Sequence, residues 1–226
     1  KETSLEAAIK FLILSAVSSV VILYGLVYLY GFSGSTYFDD IFNYLSIIQD
    51  TPSKDFVYGN FSLLIGAVLV ILGITFKLAA FPFQMWVPDV YEGAPTPIVA
   101  FLSVASKAAA FAVLLRVLFT GFFDVGLEWA GLIAVLAAVS MTVGNLMAIG
   151  QSDIKRLLGF SAIAQAGYIL VGVAAGVKSS STGFGTLEFA AIGPGSVLFY
   201  LVAYTAANLT AFFAIIAITN RTGSSR

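Results

Sequence analysis

The sequence predicts an all-α membrane protein with six transmembrane helices, on three observations. Its 226 residues are 59% hydrophobic and only 10% charged, where a soluble domain averages about 25% charged. Mean hydropathy is +0.98. Six segments, roughly residues 5–31, 61–86, 97–120, 127–150, 153–177 and 194–219, are mainly apolar over the ~20 residues that a span needs. A β-barrel would need short alternating segments, and the sequence has none of that kind.

Composition also closes several functional classes. A net charge of −1 offers no basic footprint for nucleic acid. There is no Cys, which removes disulfides, iron–sulfur ligation and thiol chemistry, and no His for imidazole relays or zinc and haem ligation. Any proton carried by this chain must use Lys, Asp, Glu, Tyr or water. No nucleotide-binding loop or nucleophile–base pair is visible.

The first span starts with Thr3 and Glu6 in capping-box spacing, and Glu6 lies one turn before Lys10. Lys10, a turn or two inside, is read as snorkelling or pairing with Glu6. A long polar loop with Asp39, Asp40, Asp50, Lys54 and Asp55 comes next. The second span carries Lys77 and then Pro82, which withholds a backbone hydrogen bond and clashes with the preceding turn. Four of the six prolines fall in 82–97, so Val87–Pro97 is expected to be a stiff turn. Lys107 sits near the centre of the third span, among Ser103, Ser106 and a run of alanines. Asp124 and Glu128 mark the next loop, Lys155 and Arg156 the one after, and Arg221 and Arg226 come after the sixth span.

Lys1, Lys155, Arg156, Arg221 and Arg226 all fall on one side of this six-span threading, which the positive-inside rule makes cytoplasmic, N-terminus included. Tyr28, Tyr30 and Trp86, near span ends, fit an interfacial aromatic belt. Gln165, Asn145, Tyr168 and Asn208 are read as helix–helix hydrogen-bonding groups, and Gly172 with Gly176 as a close packing face. Lys1 is not a start methionine, and the 222–226 tail resembles a cut loop. The chain is therefore expected to be an internal piece of a longer protein, forming one transmembrane domain over 1–226.

Lys77 and Lys107 carry most of the functional signal. A charge at the bilayer centre costs ~3 kcal/mol on insertion scales. Broken helices at membrane depth are tolerated where they line a hydrated cavity or are buried in protein. Lys77 beside a proline break suggests a small polar chamber where a proton stops; the alternative is a kink whose lysine is uncharged or paired to a carboxylate. Lys107 has the same two readings, a charge-relay site or a lysine bonded to backbone carbonyls for packing. Asp89 and Glu92 are either proton acceptors at the cytoplasmic mouth or capping carboxylates of an exposed turn. Lys155 is read chiefly as a topology signal.

The run Phe76-Lys77-Leu78 to Phe81-Pro82-Phe83, continued by Trp86-Val87-Pro88-Asp89-Val90-Tyr91-Glu92-Gly93-Ala94-Pro95-Thr96-Pro97, resembles the antiporter-like subunit N (subunit 2) family of respiratory complex I. The likeness extends through Ser106-Lys107, Gly144-Asn145, Asp153-Ile154-Lys155-Arg156, Gln165-Ala166-Gly167-Tyr168 and Tyr204 to Asn208. The resemblance implies a fourteen-helix fold with inverted repeats and a proline-broken helix, of which this chain would hold the sixth to eleventh helices. It further implies that Lys77 pairs with a glutamate outside the chain, that Lys107 passes charge onward, and that Lys10 is a third lysine of the path. Pro82 is then the helix break, with Asp89, Glu92, Gln165, Tyr168 and Lys155 as secondary polar candidates.

The same resemblance implies proton translocation coupled to NADH-to-quinone electron transfer in other subunits. NADH, FMN, iron–sulfur clusters and quinone would belong to the parent complex and none to this chain. Partners would be other membrane-arm subunits, including neighbouring antiporter-like ones, and the lipid bilayer, in a bacterial plasma membrane or alternatively a thylakoid. A multi-subunit sodium/proton antiporter is the competing reading. Many members carry His where this chain has Gln84 and Gln165, and glutamine binds water without accepting a proton near neutral pH.

Overall fold

The computed structural model describes residues 2–49, 61–122, 126–179, 187–189 and 192–222. Lys1, Asp50, Lys54, Asp55, Asp124 and Arg226, named above for their charge, lie outside these residues. The described chain runs α1 (Glu2–Ser33), α2 (Phe38–Gln49), α3 (Phe61–Leu78), α4 (Trp86–Gly93) and α5 (Thr96–Phe101). It goes on through a π-helical turn (Leu102–Ser106), α6 (Lys107–Arg116), a second π-helical turn (Val117–Gly121), α7 (Gly126–Ile149) and α8 (Ile154–Ala174). The strands β1 (Val177–Ser179) and β2 (Leu187–Phe189) and the helix α9 (Ile192–Thr222) complete it. The strands pair antiparallel, Lys178 opposite Glu188, as a small ribbon on an otherwise helical fold.

Five described helices are long and apolar enough to cross a membrane: Ser4–Ser33, Thr96–Gly121, Trp129–Ile149, Ile154–Ala174 and Ile192–Arg221. The expected second span, 61–86, is not one helix, because α3 stops at Leu78. α1 shows why hydropathy alone identifies these elements. It is apolar all round, and Leu12, Val20 and Val27 stay more than 60% exposed, as a lipid-facing helix requires. α8 is the opposite case, with 56% of its apolar window buried against 17% for α1. It packs against α4, α7 and α9.

Close backbone approach organises that packing. A Cβ on Gly144 would lie 2.6 Å from the Ala164 nitrogen, so α7 touches α8 backbone to backbone. Gly176 obeys the same rule at the far end, where a Cβ on Gly193 of α9 would stand 2.3 Å from its Cα. In lipid, helices gain little from apolar burial as such, so dense small-residue contacts of this kind hold the bundle. The Gly172–Gly176 face is such a contact, since a Cβ on Gly172 would meet Ser196 and Val197 of α9.

Several sequence expectations are corrected here. The stretch after the first span is not all loop: Phe38–Gln49 is α2, with Asp39 and Asp40 in its first turn, where acidic groups favour the helix dipole. Thr3 is not an N-cap, because Glu2 and Thr3 are already helical. The 87–97 segment is not an exposed turn; most of it is helix α4, whose Val87, Val90 and Tyr91 are buried. Trp86 does not join an interfacial belt. It is 6% exposed, donates from Nε1 to the Phe76 carbonyl at 3.3 Å, and packs on the rings of Phe11 and Phe76.

Candidate functional site

The helix break forms one wall of the site, and its local cause is Ala79. That residue takes a left-handed conformation, φ +61°. The Ala80 nitrogen donates to the Thr75 carbonyl and the Ala79 nitrogen to that of Phe76, both at 3.0 Å. This is a Schellman motif with alanine where glycine is usual. Pro82, in a cis peptide with Phe81, lies beyond this stop and prevents the helix from resuming. The freed Phe81 nitrogen donates to Ser140 Oγ of α7 at 2.9 Å, so the break is held by a hydroxyl buried in a neighbouring helix.

α4 carries Asp89 and Glu92 into an ion cluster that sequence spacing did not suggest. Lys10 of α1 lies 2.6 Å from Glu6 and 2.8 Å from Asp89. Arg156 of α8 reaches Asp89 at 3.1 Å and Glu92 at 2.9 Å. The cluster ties three helices together, and Asp89 bridges both cations. α8 starts there because the Asp153 carboxylate accepts from the nitrogens of Lys155 and Arg156, at 2.9 and 3.0 Å. Below the cluster lies a cavity of about 510 Å³, bounded by Lys10, Gln84, Trp86, Asp89, Arg156 and Phe160 among others. Gln84 is buried there, with Oε1 unbonded among the described residues.

Lys77 belongs to the shorter apolar helix of the bundle. It stands exposed in the last turn of α3. Its side chain lines a second cavity, about 380 Å³, whose wall is otherwise apolar apart from Ser106. Lys77 follows Val70 and Ile74 along one face of α3, at i+7 and i+3, and the three line this cavity together. Ser106, the residue before Lys107, lines this cavity with Lys77.

Lys107 is buried, 3% exposed, and opens α6 directly after the π-helical turn. Such turns recur at functional sites because they insert an extra residue and rotate the next stretch of helix. Its ammonium donates to the Ala162 carbonyl of α8 and lies 5.4 Å from the centre of the Tyr204 ring. Among the described residues no carboxylate is within ion-pair distance of it. Ser103, fully buried, donates to the Ala100 carbonyl at 2.8 Å.

One turn beyond Ala162, Gln165 accepts a hydrogen bond from the Tyr200 hydroxyl, so α8 and α9 continue a polar seam away from Lys107. Tyr168 is 42% exposed, with its hydroxyl accepting from Asn145 Nδ2 at 3.3 Å. Lys155 is nearly buried and donates to backbone carbonyls of 92 and 94, a structural contact beyond any topology signal. The structure thus brings Lys10, Asp89, Glu92, Lys155 and Arg156 together at one end, and Lys107, Tyr204, Tyr200 and Gln165 in the middle. Tyr200 and Tyr204 carried one readable sign, two hydroxyls spaced i, i+4 within an apolar span.

A family described as NADH:quinone oxidoreductase/Mrp antiporter, transmembrane, matches residues 1–226. The chain is 48% identical over 224 residues to NADH-quinone oxidoreductase subunit N of Dehalococcoides mccartyi, covering 98% of this chain and 44% of that protein. It is 44% identical over 221 residues to NAD(P)H-quinone oxidoreductase subunit 2 of a Synechocystis species, covering 98% and 39% respectively. Among solved structures it is similar to a chain of respiratory complex I from Thermus thermophilus with bound aureothin. That match has a TM-score of 0.69 and 32% identity, and covers 96% of this chain and 41% of the other. A chain of the Mrp complex from a Dietzia species shares the fold, TM-score 0.77, at 21% identity and 35% of its own length. The chain therefore spans about two-fifths of the length of the curated relatives it matches.

Proposed function

Since the chain belongs to the NADH:quinone oxidoreductase/Mrp antiporter transmembrane family, we propose that it is the central part of a proton-translocating subunit in the membrane arm of an NADH–quinone oxidoreductase. It is a multi-pass protein of a bacterial or thylakoid membrane. The observation that carries the proposal is Lys107: a lysine buried in mid-span whose partners are a carbonyl and an aromatic face. A buried ammonium without a carboxylate is costly to keep. A site that holds one so loosely is suited to receiving a proton and releasing it.

In this reading Lys77 is the donor. It lines the same cavity as Ser106, the residue before Lys107, and the proposed route between the two lysines runs through water in that space. The resemblance assigns Lys77 a glutamate partner from the longer subunit. At 4 Å and an effective dielectric near 20, removing that partner's charge changes the energy of the lysine by about 4 kcal/mol, enough to drive its proton toward Lys107. Beyond the Ala79 stop and Pro82, Gln84, Met85 and Trp86 line the other cavity, beside Lys10 and Asp89. The Gln165–Tyr200 seam carries the path onward, and Lys10, Asp89, Glu92 and Arg156 form its charged cytoplasmic end. Neighbouring antiporter-like subunits are the proposed partners. With neither Cys nor His, the chain supplies no thiolate or imidazole ligand. NADH, FMN, iron–sulfur clusters and quinone are assigned to other subunits.

The test is proton pumping by the intact complex in proteoliposomes, wild type against Lys107→Ala at matched assembly. Loss of pumping together with electron transfer is expected. Wild-type pumping would make Lys107 structural, and sodium-dependent transport without NADH or quinone would favour the antiporter reading.

A further inference from the structure

We propose that Tyr204 is a positioning residue for Lys107, its ring face standing where an ion pair would place a carboxylate. This rests on the proton-transfer reading of Lys107 and deepens it. Tyr204 is 7% exposed on α9, and the Lys107 ammonium lies 5.4 Å from its ring centre, inside the ~6 Å range in which the negative face of an aromatic ring attracts a cation. The Ala162 carbonyl supplies the other contact. The ammonium is thus held by a dipole and a quadrupole and by no full negative charge among the described residues.

The hydroxyl of Tyr204 has a separate task. It accepts from Asn208 Nδ2 at 2.8 Å, one turn along the same helix. That bond engages the oxygen away from the lysine, so the hydroxyl and the ring face serve different groups. The π-helical turn before Lys107 and the close approach of α9 to α5 bring the two side chains together. Physically, the arrangement suits a transfer site better than a carboxylate would. An aromatic face steadies the charged form without acting as a proton trap, so the proton stays transferable.

Three variants in the intact complex, reconstituted in proteoliposomes at matched assembly, decide the matter. Tyr204→Phe keeps the face and is expected to pump as wild type. Tyr204→Leu removes it and is expected to lose pumping and coupled electron transfer, as Lys107→Ala does. Wild-type pumping by Tyr204→Leu overturns the proposal, as does a Tyr204→Phe complex that fails like Tyr204→Leu, since the hydroxyl would then be the active part. If Tyr204→Leu does not assemble, adding Lys107→Met is expected to restore assembly by removing the charge the ring serves; failure to restore it overturns the proposal. Wild-type pumping by Lys107→Ala would instead remove the functional reading beneath it.

Discussion

The ammonium of Lys155, in the first turn of α8, donates to the backbone carbonyl of Glu92 at 2.8 Å and reaches that of Ala94 at 3.4 Å. These carbonyls lie at the end of α4, where a helix leaves its last acceptors unpaired and its dipole is negative. A cation from another helix therefore seals the short helix beyond the break. Lys155→Met keeps the apolar stem but strands a half-buried carbonyl. The expected loss is ~1–3 kcal/mol, read as a lower melting temperature of the purified complex in detergent. An unchanged melting temperature would show that water serves those carbonyls equally well.

Ser140 does the corresponding work at the start of the break. Its hydroxyl is the acceptor for the Phe81 nitrogen at 2.9 Å and is fully buried. Ser140→Ala leaves that amide without a partner, again at ~1–3 kcal/mol. Hydrogen exchange should quicken at Phe81 and its neighbours before the rest of the bundle responds. Exchange at the wild-type rate would mean the break is held by other contacts.

Ala79 sits at φ +61°, where an L-residue is disfavoured by roughly 1–2 kcal/mol. Glycine relieves the conformation but gives up one buried methyl, worth ~0.8 kcal/mol, and loses roughly 0.5–1 kcal/mol more in chain entropy on folding. Ala79→Gly is therefore expected to leave thermal stability nearly unchanged. Ala79→Val places a branched Cβ in the same region, a genuine outlier, and should destabilise by more than about 1 kcal/mol. Equal stability of the two variants would contradict a left-handed stop at this residue.

The contrast between these residues and the sequence reading is physical. Proline content announced a break near Pro82, but nothing in the residue type marks Ala79 as left-handed, since alanine usually continues a helix. Hydropathy measures how apolar a segment is and says nothing about which face turns inward. Its position in an apolar run predicts a buried Lys107, and it is buried; Lys77, in a similar run, faces a cavity. Trp86 near a span end suited the interface, yet packing by Phe11 and Phe76 draws it into the core. The ion cluster joins positions 10, 89 and 156, and long-range pairing of that kind has no local pattern. Glycine spacing was more informative, because Gly172 and Gly176 sit where α9 comes closest.

Gln165 and Tyr200 offer a test of the polar seam that is independent of transport. The Tyr200 hydroxyl donates to Gln165 Oε1, both groups being half-buried between α8 and α9. In an apolar surround, removing one partner strands the other, whereas removing both is nearly neutral. Gln165→Leu and Tyr200→Phe should each cost ~1 kcal/mol, near the ~0.6 kcal/mol average of hydrogen bonds between membrane helices. The double variant should cost less than the sum of the two. Melting temperatures of the four complexes give the coupling directly. Strict additivity would mean the two side chains do not act as a pair, and the route from Lys107 along α8 and α9 would lose its second step.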